Sequence, residues 1–151
     1  MGERRRSTRT FEVERATGSH EVLDRLFVYG TLRRGQTARS LIANQVTKST
    51  KAWTTGAIYA FPMGYPGCLD VEGQPGKIVG EVLWLTELPA TFGLLDAYEG
   101  SDFARVIKQV TLTTGEEVWT WIYVLADAAA IEHGILIPDG DWVRYWNDQQ
   151  H

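Results

Sequence analysis

The chain opens with about two dozen mostly polar positions, then changes character abruptly at Arg25-Leu26-Phe27-Val28-Tyr29-Gly30. Four consecutive large apolar or aromatic residues stopped by a glycine read as a buried strand. After Arg33-Arg34-Gly35, the segment Ala38–Val46 is expected to form a short helix with Leu41 and Ile42 inward. Ala52–Phe61 reads as a second strand region interrupted at Gly56, and Ile78–Leu85 as a third strand. Between them, residues 62–77 hold three prolines and four glycines, the composition of a long loop.

Thr86 to Glu99 carries the strongest helix signal. Thr86 is a candidate N-cap, and Pro89 falls in the first turn, where a missing N–H costs little. Leu88, Phe92 and Leu95 recur at helical spacing, Gly93 weakens the pattern, and Gly100 supplies a stop. Phe103–Leu112 and Glu117–Leu125 then predict two strands around the turn Thr113-Thr114-Gly115-Glu116. Val106, Val110 and Leu112 alternate with polar positions, while Trp119, Trp121 and Tyr123 share a face that reads as core rather than as a stacking platform. Residues 126–151 suggest a loop and a short amphipathic end with Trp142, Tyr145 and Trp146. About five strands with short helices and hairpin-length turns predict an α+β fold, a small mixed β-barrel with short flanking helices.

Length and charge narrow the picture. The 151 residues are enough for one domain with a real core, and the apolar share of 44% is that of a soluble globular protein. Residues 1–24 bury too little to offset ordering entropy and are expected to be a disordered tail, with the domain at 25–151. Up to Arg25, six arginines face five acids, leaving nine basic and fourteen acidic residues downstream. A net charge of -4 gives no reason to expect nucleic acid as a partner. No run approaches the ~18 apolar residues of a membrane helix, and no apolar segment follows the basic start, so a cytoplasmic protein without membrane association is expected. Cys68, the single cysteine, reads as an ordinary small side chain, and the histidines are too scattered for a metal site.

Two stretches carry candidate chemistry. In Tyr29-Gly30-Thr31-Leu32-Arg33-Arg34-Gly35 a strand runs into a glycine turn whose N–H groups can point at an anion. The plain alternative is a strand-ending turn. In Leu95-Asp96-Ala97-Tyr98-Glu99-Gly100 a carboxylate sits at a helix C-terminus, where desolvation and the helix dipole both raise its pKa. That suits a group that holds and releases a proton, although a solvated glutamate at a frayed end has the same sequence.

Together these stretches resemble the γ-glutamylcyclotransferase family, which includes the AIG2-like proteins and the γ-glutamylamine cyclotransferases. Its Tyr-Gly-Ser/Thr-Leu loop is similar to Tyr29-Gly30-Thr31-Leu32, and its Leu-Asp-x-x-Glu segment to Leu95-Asp96-Ala97-Tyr98-Glu99. Phe103-Ala104-Arg105, Tyr65-Pro66-Gly67 and Gly140-Asp141-Trp142 extend the likeness over about residues 26–146. The resemblance implies a mixed barrel and metal-independent acyltransferase or lyase chemistry without a cofactor. Glu99 would be the general acid/base that turns a γ-glutamyl amide into 5-oxoproline and a free amine. It further implies that Tyr29, Gly30, Thr31 and Leu32, with Tyr65 and Arg105, bind that small-molecule substrate. Two alternatives use the same residues: a non-catalytic module binding an amino-acid-like ligand, and a glycosidase built on Asp96 and Glu99. Neighbouring carboxylates on one helix rarely straddle a glycosidic bond, so Asp96 is expected to hydrogen-bond within the helix end or the adjacent loop instead. The leaving amine and the oligomeric state are not written in the sequence; residues 62–77 and 126–137 are the candidate acceptor-side loops.

Overall fold

The computed structural model describes residues 23–69 and 76–150. Among the described residues, eight strands and two α-helices follow one another. Strand β1 (Arg25–Val28), β2 (Val46–Thr55), β5 (Lys77–Leu85), β6 (Phe103–Leu112) and β7 (Glu117–Leu125) close a barrel in the order β1-β5-β2-β6-β7. The barrel closes through a parallel contact between β1 and β7 at Leu26 and Trp121; its other pairings are antiparallel. β4 (Tyr65–Leu69), β3 (Ala57–Phe61) and β8 (Ile135–Leu136) form a separate three-stranded sheet in that order. Helix α1 (Leu88–Glu99) and helix α2 (Trp142–Gln149) flank the strands. The α+β barrel with short helices expected from the sequence is the fold of the protein.

Both faces of β1 are buried, which explains its unbroken apolar run. Phe27 and Tyr29 enter a cluster with Ile58, Val82, Ile122 and Trp142. Leu26 and Val28 point the other way, into a cluster with Ile42, Leu83, Phe92 and Leu95 that seats α1. The chain just before β1 also packs. Leu23 is buried beside Ile107, and its carbonyl accepts the Trp121 indole N–H at 3.2 Å. The expected tail therefore includes two residues, Leu23 and Asp24, that contact the barrel; the Asp24 carbonyl accepts the Leu85 N–H. The rest of that segment lies outside the described residues.

The hairpin of β6 and β7 has the bounds that its alternation predicts. Elsewhere the structure departs from expectation. Ala38–Val46 makes two single 3-10 turns, at Arg39–Leu41 and Ala43–Gln45, rather than one helix. The presumed loop 62–77 contains β4. β4 lies at the edge of its sheet, the position where a strand tolerates a proline such as Pro66. Thr86 does not cap α1: its N–H and its hydroxyl both donate to the Gln45 carbonyl, and Glu87 takes the cap position in a left-handed conformation with φ of 51°. At the other end Gly100, with φ of 72°, stops the helix as expected. Among the described residues no helix is long and apolar enough to cross a membrane.

Candidate active site

Where β1 ends, the chain turns sharply. The Arg33 N–H closes the turn on the Gly30 carbonyl at 3.0 Å, and the Ala38 N–H returns to the Thr31 carbonyl at 2.9 Å. Beyond the turn, Glu81 of β5 acts as an anchor. Its carboxylate accepts the Arg34 N–H at 3.1 and 3.2 Å and the Arg39 guanidinium at 2.9 Å. Arg33 stands 3.9 Å from the same carboxylate and pairs with Asp141, the N-cap of α2, at 2.9 Å. The turn is thus tied to the barrel and to α2. Among the described residues, no group accepts the N–H of Gly30, Thr31 or Leu32. Three successive unpaired amides make a concavity suited to an anion.

Glu99 ends α1. Phe92 and Leu95 bury the inner face of that helix, and Asp96, one turn before Glu99, fixes its end to the barrel. Asp96 accepts the Arg105 guanidinium at 2.9 and 3.2 Å and the Tyr123 hydroxyl at 2.6 Å. Burial pushes the Asp96 carboxyl upward, but the hydrogen bonds from Arg105 and Tyr123 outweigh it and hold the group below its ordinary value. Asp96 therefore bonds to strands β6 and β7, not within the helix end or the adjacent loop as the sequence suggested. Among the described residues Glu99 has no such hydrogen-bond or ion-pair partners. Burial alone raises its pKa from the ordinary 4.5 to about 7.

The two parts face one cavity of about 500 Å³. Tyr29, Gly30, Thr31, Leu32, Tyr65 and Glu99 all line it, so six of the seven residues singled out from the sequence meet there. The Thr31 hydroxyl and the Tyr98 hydroxyl lie 3.1 Å apart and join the loop to the end of α1. Tyr29 is buried and donates its O–H to the Tyr123 carbonyl at 2.7 Å; burial keeps this phenol well above its ordinary pKa. Arg105 is the exception. It does not line the cavity but is held by Asp96, with its guanidinium 4.4 Å from the ring centres of both Phe92 and Trp121. Gly30 also has a packing reason to be glycine, since a Cβ there would lie 2.5 Å from the Pro66 ring. Cys68 is buried, with its thiol 3.8 Å from the Tyr123 carbonyl.

Sequence reasoning missed Met63, Tyr98, Asp102, Phe103 and Tyr123 as cavity-lining residues. Tyr98 and Asp102 sit within three positions of Glu99, a proximity that would have nominated them. Tyr123 belonged to a face expected to be core, and it serves both roles.

A closed barrel thus sets a half-buried carboxyl across a cavity from a turn of open amides. The model of the family described as gamma-glutamyl cyclotransferase, AIG2-like, matches residues 26–144, and the chain belongs to that family. A curated relative, the gamma-L-glutamyl-butirosin B gamma-glutamyl cyclotransferase of Niallia circulans, is 34% identical over 104 residues, covering 65% of this chain and 65% of the relative. The solved structure of YkqA from Bacillus subtilis aligns with a TM-score of 0.68 at 26% identity, over 85% of this chain and 43% of YkqA. An AIG2-like protein of Mus musculus aligns with a TM-score of 0.58 at 23% identity, over 70% of this chain and 79% of that protein, and shows the shared fold.

Proposed function

We propose that this protein is a γ-glutamyl cyclotransferase, an enzyme that converts a γ-glutamyl amide into 5-oxoproline and a free amine with Glu99 as general acid/base. The observation that carries the reading is the Glu99 carboxyl, raised to about 7 by burial and facing the open amides of Gly30–Leu32 across one cavity. A proton-transfer group works best when its pKa lies near the working pH.

The amides of Gly30, Thr31 and Leu32 take the substrate α-carboxylate, which leaves its α-amine curled toward the γ-carbonyl. The neutral amine nitrogen attacks that carbonyl carbon, and ionised Glu99 takes the proton the nitrogen loses as the bond forms. The tetrahedral intermediate collapses, the carbon–nitrogen bond to the leaving amine breaks, and Glu99 returns the proton to that nitrogen. One ring bond forms, one amide bond breaks, and no water is consumed. Holding the substrate curled supplies proximity worth up to ~7–11 kcal/mol in well-oriented cases. Arg105 is engaged by Asp96 and has no direct part in this scheme.

The test compares a γ-glutamyl amide with its N-acetylated form. The free-amine compound should yield 5-oxoproline without glutamate, and the acetylated one should stay intact, because its nitrogen no longer attacks. Cleavage of the acetylated compound to N-acetylglutamate would make the protein an amidohydrolase. Binding of both compounds without turnover would make it a ligand-binding module.

A further inference from the structure

The basic residues of the domain are not spread evenly. From Leu26 to Leu69 the chain holds no acidic residue but five basic ones, Arg33, Arg34, Arg39, Lys48 and Lys51. The other four of the nine basic residues after Arg25, and all fourteen acidic ones, lie later in the chain. Two of those later acids reach back to the basic stretch. Glu81 pairs with Arg39 and lies beside Arg33, and Asp141 takes Arg33. Arg34 and Lys48 have no ion-pair partner among the described residues.

The fold gathers these charges at a groove of about 360 Å³ beside the two 3-10 turns and the start of β2. Arg34, Arg39 and Lys48 line it together with the hydroxyl-bearing Thr47 and Ser49, and no acidic side chain lines it among the described residues. Each cation has a seat. The Arg34 guanidinium donates to Ser49 Oγ at 3.4 Å, and the Lys48 ammonium stands 4.6 Å from the Trp84 ring centre. Arg39 Nη1 donates to Glu81 at 2.9 Å and to the Leu32 carbonyl at 3.3 Å. Nη1 carries both of those bonds, so among the described residues the Arg39 Nε and Nη2 donors remain open to a ligand.

Two forked guanidinium groups and an ammonium around one concavity suit a tetrahedral oxyanion, whose oxygens accept several charge-assisted hydrogen bonds at once. The groove has the size of a small-ligand site. Beyond the basic stretch the domain carries four basic against fourteen acidic residues, a field that repels an extended polyanion and leaves a compact one free to enter. We propose that the groove binds a compact multivalent oxyanion, inorganic phosphate or the phosphate group of a small ester, between the Arg34 and Arg39 guanidinium groups and the Lys48 ammonium. The site stands whether or not the protein is a cyclotransferase, since the groove shares no lining residue with the cavity that Glu99 faces.

Calorimetric titration of the full chain at fixed ionic strength tests this with inorganic phosphate, glycerol phosphate and acetate. The better of the two phosphates should bind at least about tenfold more tightly than acetate, and which of them is better tells a free phosphate site from an ester site. Arg34→Gln and Lys48→Gln replace exposed side chains, and thermal melts verify that each variant is folded. Each should weaken phosphate binding by about threefold or more, and the double variant by about tenfold or more. Lys77→Gln removes a cation at the opposite end of β5 from Trp84 and should leave the Kd within about twofold, as expected for a screened, distant charge. Equal affinity for phosphates and acetate, undiminished binding in the double variant, or an equal loss in Lys77→Gln would overturn the proposal. So would a single-stranded oligonucleotide of about fifteen residues that binds more than about tenfold tighter than either phosphate, because the groove would then be part of a nucleic-acid face.

Discussion

The Tyr123 hydroxyl donates to Asp96 Oδ1 at 2.6 Å, and through this bond β7 holds the last turn of α1, the turn that ends in Glu99. Burial, followed by the hydrogen bond to Asp96, raises the Tyr123 pKa, so the phenol stays a donor throughout the working range. Tyr123 thereby positions Glu99 without bonding to it.

Tyr123→Phe should lower stability by roughly 1.5–3 kcal/mol, the usual worth of a hydrogen bond to a charged group. The folded-state pKa of Asp96 is depressed, so its contribution is present above the ordinary carboxylate value and is lost as pH falls through the folded value. The penalty in Tyr123→Phe should therefore be largest near neutrality and shrink in acid. Urea titrations at several pH values check this. A fall in kcat larger than the change in KM would show that the clamp serves the position of Glu99.

Glu81→Gln should loosen the ligand loop. The Arg39 and Glu81 side chains are largely buried, at 16% and 11% exposure, so removing the Glu81 charge leaves Arg39 without its ion-pair partner, while Arg33 keeps Asp141. Breaking such a pair from one side typically costs on the order of 3 kcal/mol. The glutamine keeps the shape and can still accept the Arg34 N–H. The expected result is a lower Tm together with a raised KM for γ-glutamyl amides, since the loop that receives the α-carboxylate loses its anchor. An unchanged KM in the folded variant would show that the loop holds its shape without Glu81.

Gly30→Ala tests why that position is glycine. The added Cβ would lie 2.5 Å from Pro66 Cγ, a distance that forces either the loop or β4 to move. Overpacking of this kind typically costs about 1–3 kcal/mol. Pro66→Ala in the same chain should recover part of the loss, a coupling that thermal melts of the two single variants and the double variant measure. Additive losses would place the strain somewhere other than the Pro66 ring.

These residues also show what the sequence made legible. The β6–β7 hairpin was readable because Val106, Val110 and Leu112 alternate over a turn containing Gly115, and local alternation needs no tertiary information. The meeting of Glu99 with Tyr29–Leu32 came from a family resemblance; periodicity could not supply it, since the pairing depends on barrel closure between β1 and β7. β4 was hidden because Pro66 and Gly67 signal a loop locally, while only the edge position shows that a proline is tolerated there. Arg105 was expected at the substrate from the family resemblance of Phe103-Ala104-Arg105. Asp96, nine positions earlier, already supplies it with a carboxylate, and the aromatic pair Phe92 and Trp121 completes its seat.

Glu99→Gln makes the strongest joint claim on activity and stability. The substitution keeps the shape and removes the proton-transfer group, so turnover should fall by about 10²–10⁴-fold while γ-glutamyl amides still bind. In the unaltered protein the acid limb of kcat/KM should rise with pH through an apparent pKa of about 7, because the ionised carboxylate is the base. Stability should move the opposite way. The pKa is raised on folding from 4.5 to about 7, so the folded state binds the extra proton between those values. Stability is unaffected by Glu99 below the unfolded value, falls as pH rises from there, and levels off above the folded value. A displacement of this size corresponds to roughly 3 kcal/mol of burial penalty on the ionised form. Glutamine carries no such penalty. The Glu99→Gln protein should therefore gain on the unaltered protein as pH increases, with the difference growing between about pH 5 and pH 8 in paired thermal melts. A difference that stays flat across that range would mean that Glu99 titrates alike in the folded and unfolded chains, and would remove the raised pKa on which its role as acid/base rests.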